Sequence, residues 1–270
     1  MSDETDEISV GPERKGQEYT FKVAICVPCG DMLHSKFAYD LAIMLSASAT
    51  AWPDIKQYFF MIHGSLIPKM RDNLVTQVLQ TDATHMLFLD SDMRFPKHAL
   101  AQLLSHNVEA VCASYHERSG RHRPVAFKTW DDFDKRAWTY KESTGLEEIA
   151  ACGCGMMLIA TDLLRWLEMP RFAVARRQNP EGFVGEDVWF CQQIAKAGAK
   201  LYLDHDLTKQ VRHIAAMELW AHECVEHAKE TGELPSVQPT QTIFENDIME
   251  GLAAAEDYEP SVNGAAVEGA

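Results

Sequence analysis

Long apolar runs are missing. Nothing in the 270 residues approaches the roughly 20 consecutive apolar positions of a membrane-spanning helix, so no membrane span is expected. The first residues are acidic, which argues against a secretory signal. A disulfide framework is missing too. Seven cysteines are an odd count in a chain this long, and they read as reduced, buried thiols of a cytoplasmic protein. Cys26-Val27-Pro28-Cys29 has neither a following helix start nor a second ligand pair, so it reads as structural rather than redox-active or zinc-binding. Between Cys29 and Ser35 there is one glycine, Gly30, and no Arg or Lys. The Gly-rich, cationic loop that a nucleotidyltransferase usually carries after its first strand is therefore absent. No internal repeat shows at any period.

Basic residues are missing from one end. Residues 230–270 hold nine acids and no Lys or Arg, and residues 1–20 hold six acids against two bases. Of the net charge of −15, only −2 belongs to the 209 residues between. The acidity lives in two ends, 1–20 and 231–270, whose Ser, Gly, Ala and Pro content predicts solvating, largely disordered tails. A nearly neutral body, 21–230, neither demands nor excludes a nucleic-acid partner.

What is present is a βα rhythm. A buried first strand is expected over 21–28, stopped by Pro28 and Gly30, then a helix capped by Ser35 and running to about 51. A second strand follows at 56–63, a helix at about 68–80, a third strand at 84–90, a helix opened by Pro96, and a fourth strand at 108–115. That β-α-β-α-β-α-β order predicts an α/β fold with a parallel, nucleotide-binding sheet over 21–115. Beyond 115 the rhythm gives way to short segments that suggest antiparallel strands and loops, an acceptor-side half over 116–230. Residues 171–185 lack periodicity and read as a long covering loop. Residues 186–197 read as an amphipathic helix ended by Gly198, and a final helix is expected over 214–230.

The chemistry concentrates where the third strand ends. Four large hydrophobes, Met86 to Leu89, stop at Asp90-Ser91-Asp92. Positions i and i+2 of an extended segment face the same way, so the two carboxylates converge just past a sheet edge, where open α/β folds bind ligands. Paired hard oxygens with room for water and phosphate suit Mg²⁺ or Mn²⁺. The spelling alone says little, because eighteen aspartates produce two more such pairs, Asp132/Asp134 and Asp204/Asp206. The first lies in a polar loop that suits a solvated turn, and the second follows a short strand and suits a capped turn. His222-Glu223 with His227 is not a zinc-protease motif. Its histidines are five apart, about 140° from sharing a helix face.

Three blocks together carry a resemblance. THMLFLDSDMRFP (84–96), preceded by Arg71-Asp72-Asn73, resembles the nucleotide-sugar half of GT-A glycosyltransferases of the family-2-like group, with phage and bacterial members. GFVGEDVWFCQQIAKAGAKLYLD (182–204) resembles that group's acidic-dipeptide helix. VRHI (211–214) resembles the strand bearing its late metal-binding histidine. The resemblance implies a GT-A-like fold, with a Rossmann-like half, a mixed sheet and an acceptor half, and transfer from a UDP- or GDP-sugar with Mn²⁺ or Mg²⁺. It implies that Asp92 ligates the metal directly and that Asp90 meets ribose or metal-bound water. Pro28, Cys29 and Gly30 would line the donor pocket, with Ser91 at its edge and Arg71 near the nucleotide or phosphate. His213 would complete the ligands, with His205 its rival and a structural imidazole the plainer alternative. Asp187 would be the general base of an inverting reaction, with Glu186 holding the acceptor. Its helix position lowers a carboxylate pKa, so useful basicity is expected to need desolvation by the loop over 171–185.

The small residues of 152–155 would let backbone approach the sugar closely. Two basic groups, Arg118, Arg121, His122 and Arg123 after the fourth strand and Arg171, Arg176 and Arg177 in the covering loop, accompany Trp130, Trp138 and Tyr140. They suit an anionic acceptor whose rings stack, and a hydroxylated DNA base of phage type, in a host cytoplasm, is one such acceptor beside a glycan or polysaccharide. The plainer readings are solvated loops with core aromatics, and for Arg71 a surface charge on a helix. A nucleotidyltransferase and a non-catalytic nucleotide-sugar or nucleic-acid binder are the competing classes.

Overall fold

The computed structural model describes residues 8–10, 20–118, 123–178 and 181–214. All belong to the unit Met1–Ala215; a second unit, Ala216–Ala270, follows. The expected final helix, the C-terminal acidic tail, the His222/His227 pair, Arg121, His122 and the Arg177 side chain lie outside the described side chains.

In chain order the first half contains β1 (Ile8–Val10), β2 (Phe21–Cys29), α1 (Ser35–Ala51), β3 (Ile55–His63), α2 (Ile67–Val78), β4 (His85–Leu89), β5 (Met93–Arg94), α3 (Ala99–Ser105) and β6 (Ala110–Cys112). The second half contains β7 (Leu146–Ile149), β8 (Met156–Ala160), α4 (Thr161–Trp166), β9 (Ala175–Gln178), β10 (Glu181–Val184), α5 (Glu186–Lys196), β11 (Leu201–Asp204), α6 (His205–Thr208) and β12 (Arg212–His213). One eight-stranded sheet runs β1-β3-β2-β4-β8-β6-β11-β7. Strands β3, β2 and β4 are parallel neighbours, and β11 runs parallel to β6. Strands β1, β7 and β8 run the other way. The fold is α/β with a mixed sheet.

Side-chain alternation divides the interior into two cores, one on each face of the sheet. Val23, Ile25, Val27, Leu87 and Leu89 pack against Phe37, Leu41 and Met44 of α1 and Leu100 and Leu103 of α3. Ala24, Cys26, Met86 and Phe88 face the other way, against Leu74 and Val78 of α2, Leu163 and Leu164 of α4 and Phe190 and Ile194 of α5. Strand β4 is buried on both faces, as its unbroken apolar run predicts. The Cys26 and Cys29 side chains fall into opposite cores, so their CxxC spacing forms no thiol pair. All six described cysteines are buried free thiols. No described helix is long and apolar enough to cross a membrane.

Several expectations are corrected. The third and fourth βα strands are not neighbours. Strand β8, from the second half, inserts antiparallel between β4 and β6, because each leaves an edge that an apolar strand can satisfy. Residues 8–10, inside the expected N-terminal tail, pair antiparallel with β3. Helix α1 is capped by His34, whose Nδ1 accepts from Lys36 N–H, rather than by Ser35. The stretch expected as an irregular covering loop contains the β9–β10 hairpin. The C-terminus of α5 is as expected, with Gly198 in the left-handed region at φ +83°.

Candidate active site

The parallel strands all deliver their C-terminal ends to one edge of the sheet, and the sequence blocks meet there. Asp90 leaves β4 with its N–H donating to Gly155 O (3.0 Å), and Met93 N–H donates back to Asp90 O (3.1 Å), so residues 90–93 form a turn. Strand β5 then pairs with β12, which sets His213 opposite Met93, and Ile214 N–H donates to Asp92 O at 2.8 Å. This ladder carries a residue 121 positions downstream to the aspartate turn. Asp40 of α1 locks it from beneath, accepting from Arg94 Nη2 (3.0 Å), Arg94 Nε and Phe95 N–H (3.2 Å).

Arg71 is not a surface charge. Its side chain is 4% exposed, and its guanidinium joins the first acidic block to the second. Nη2 donates to Asp90 Oδ1 (2.8 Å) and Nη1 to Glu186 Oε1 (2.7 Å). Burial alone disfavours its charge, but the Asp90 and Glu186 carboxylates outweigh burial and hold its pKa well above the usual value. Breaking such a buried pair by removing one member costs about 3–5 kcal/mol.

Asp187 follows in the first turn of α5. Burial, with Glu186 beside it, raises its pKa to about 6, against the opposing pull of Arg71 and of the Val188 N–H that donates to its Oδ1 at 2.7 Å. The carboxylate is desolvated in this structure, with the β9–β10 hairpin in place. A Cβ at Gly185 would stand 2.9 Å from Asp187 Oδ1, so the glycine leaves that carboxylate its position.

Asp92 and His213 converge. Asp92 Oδ1 lies 3.5 Å from His213 Nε2, while His213 Nδ1 sits 2.9 Å from His116 O. That carbonyl can only accept, so the proton resides on Nδ1 and Nε2 presents its lone pair. Burial and the neighbouring Arg118 lower the pKa of His213, which keeps it neutral near pH 7. Arg118 lies against both residues, with its Nη2 on Asp92 Oδ2 and its Nε and Nη2 at 3.1 and 3.0 Å from His213 Nε2. A carboxylate oxygen and an imidazole lone pair that already attract one cation fit a divalent ion, Mn²⁺ more readily than Mg²⁺. Among the described residues no three His, Cys, Asp or Glu side chains are gathered around one point, and Asp90 is turned to Arg71 rather than toward Asp92's partners.

His205, the rival ligand, is buried between Thr139 Oγ1 (2.8 Å) and Glu147 Oε2 (3.0 Å) and serves the fold. Pro28 and Cys29 are buried at the end of β2, whereas Gly30 is exposed with open space around its Cα. Ser91 is half-buried in the aspartate turn. Arg171 is drawn to Asp72 of α2 at 3.7 Å. The run at 152–155 makes room for a side chain: a Cβ at Gly153 would stand 2.4 Å from Tyr115 Oη, and one at Gly155 2.6 Å from Tyr115 Cε1. The Tyr115 ring fills that space and meets the His213 ring edge-on at 4.9 Å. Burial, with Asp90 and Asp187 nearby, raises its phenol pKa well above normal. Sequence reasoning missed Tyr115; two glycines at i and i+2 before a strand, on one face, are the signal for a bulky neighbour.

No protein-family model and no curated protein matches the sequence. Similar solved structures include A197 from STIV, at 14% identity and TM-score 0.45 over 74% of this chain and 99% of that one. They also include S. aureus TarS 1–349 in complex with UDP-GlcNAc, at 12% identity and TM-score 0.43 over 73% of this chain and 60% of that one.

Proposed function

We propose that the chain is a divalent-metal-dependent, GT-A-like glycosyltransferase that moves a sugar from a UDP- or GDP-sugar to an acceptor hydroxyl with inversion. The observation that carries this reading is the convergence on one sheet edge of Asp92 with His213 and, through Arg71, of Asp90 with Glu186 beside a carboxylate of raised pKa. Asp92 and His213 would hold the metal, and a bound divalent cation would supply Lewis-acid neutralisation of the departing diphosphate. Gly30 and the backbone at the end of β2 would border the nucleotide, and Asp90 with Ser91 its ribose or metal-bound water.

Asp187 is assigned the general base. An acceptor O–H loses its proton to the Asp187 carboxylate as that oxygen attacks the anomeric carbon, and the bond from that carbon to the diphosphate oxygen breaks. A carboxyl that titrates near 6 is ionised at pH 7 yet more basic than a free one, which suits this task. Glu186 positions the acceptor while Arg71 fixes its carboxylate. Trp138 and Tyr140 are 41% and 64% exposed rather than core residues, and they favour an acceptor with stackable rings, a glycan or a hydroxylated DNA base.

A donor panel with Mn²⁺, read as nucleoside diphosphate released by slow hydrolysis, tests the reading. At least one UDP- or GDP-sugar is expected to be consumed, and Asp187→Asn to keep donor binding while transfer falls by about 10²–10⁴-fold. No hydrolysis or binding of any donor, with Asp92→Ala indistinguishable from wild type, would sink it.

A further inference from the structure

Two arginines stand in this site, and they are held differently. Arg71 is buried between two carboxylates at ordinary hydrogen-bond distances. Arg118 has a half-exposed side chain, and its guanidinium lies on Asp92 and on the lone pair of His213 Nε2. It thus takes the same carboxylate oxygen and the same imidazole nitrogen that a divalent ion would take. Asp92 Oδ1 and His213 Nε2 stand 3.5 Å apart, two acceptors that face each other across the space a cation takes. The β5–β12 ladder and the His116 carbonyl fix both partners independently of Arg118. A half-exposed ion pair contributes little to the fold, so exchange of this contact does not threaten the structure.

We propose that Arg118 is an internal counter-cation, resting on Asp92 and His213 until a divalent ion displaces it. The inference rests on the metal-dependent reading above and adds a competitor built into the chain. While Arg118 is engaged the ligands are closed to the ion, so apparent metal affinity falls by the fraction of time they are open. Once displaced, the guanidinium is left at the same sheet edge, where its planar fork suits the oxygens of the arriving diphosphate.

The test is Mn²⁺ binding by the full chain without nucleotide, read from the electron paramagnetic resonance signal of free Mn²⁺. Arg118→Gln is expected to bind Mn²⁺ about tenfold more tightly than wild type, the factor for a contact engaged nine-tenths of the time. Arg118→Lys, which keeps the charge and loses the fork, is expected to fall between. Arg123→Gln removes an equal charge whose guanidinium pairs instead with Glu117 and Asp134, and is expected to shift affinity by about twofold or less. If wild type binds Mn²⁺ and Arg118→Gln binds it equally or more weakly, the counter-cation is overturned and the metal reading stands. An equal gain in Arg123→Gln would overturn it too, by assigning the effect to overall charge. Absence of Mn²⁺ binding in both wild type and Arg118→Gln would overturn both.

Discussion

Asp90/Asp92 and Asp204/Asp206 share a spelling, and both pairs follow a strand of the same sheet, yet they serve opposite ends. Asp204 is fully buried and its oxygens are consumed by the fold: Oδ1 caps α6 at Leu207 N–H (2.9 Å), and Oδ2 takes Gln102 Nε2 (2.8 Å) and His106 Nε2 (2.7 Å). Asp206 accepts from Gly145 N–H (2.8 Å) and Lys209 Nζ (2.9 Å). Asp90 and Asp92 are partly exposed, accept no such backbone N–H from the described residues, and meet arginines instead. A carboxylate whose lone pairs are taken by backbone N–H and inward side-chain donors belongs to the architecture; one that meets a half-exposed guanidinium, as Asp92 meets Arg118, is available for chemistry. Asp132/Asp134 is the third case, a turn in which Asp134 N–H donates to Asp132 Oδ1 at 3.0 Å.

Substitutions sharpen that contrast. Among the paired aspartates the largest expected effect is on transfer by Asp92→Asn, a fall of about 10²–10³-fold with the melting temperature retained, since several kcal/mol of leaving-group stabilisation is lost and no fold contact is; paired initial-rate and thermal-denaturation measurements check it. Next, Asp204→Ala is expected to cost about 3 kcal/mol in denaturant unfolding, because a helix cap and two half-buried side-chain partners, Gln102 and His106, lose their acceptor, with any surviving folded protein still active. A drop in rate without loss of stability would put Asp204 in the chemistry and dissolve the contrast. Third, kcat/KM is expected to rise about tenfold per pH unit up to about pH 6 and then level, as Asp187 loses its proton; a limb near 4 would remove Asp187 as the base. The same raised pKa means that ionised Asp187 opposes folding above about pH 6, and that this opposition is relieved as pH falls from 6 toward 4. The smallest effect is that of Asp206→Ala, expected to leave rate unchanged and stability nearly so.

Local pattern made the first half legible. The apolar runs at 21–28, 56–63 and 84–90 mark strands whose ends lie within a residue or two of those observed. Partner choice was not legible. Strand β8 is as apolar as β4, and nothing in its five residues says that it will lie antiparallel between β4 and β6. The hairpin at 175–184 was hidden by an Ala-Arg-Arg-Gln strand with no hydrophobic alternation. At the site, residue types and order along the chain pointed to Asp92, Asp187 and His213, but Arg71 and Arg118 look alike as letters. Only burial separates an arginine fixed between two carboxylates from one resting on an exchangeable pair.

Arg71 also ties chemistry to the order in which the chain is made. Its first partner, Asp90, is 19 residues away, and its second, Glu186, is 115 residues away. As the chain leaves the ribosome, α2 and β4 come together well before α5 exists. Until α5 docks, the guanidinium has one carboxylate instead of two, and Asp187 remains in water with the acidity of any free aspartate. A carboxyl titrating near 6 therefore comes into being only when the second half has closed on the first. Incomplete chains carry the Asp90–Asp92 turn without the raised-pKa carboxylate that the second half brings to it.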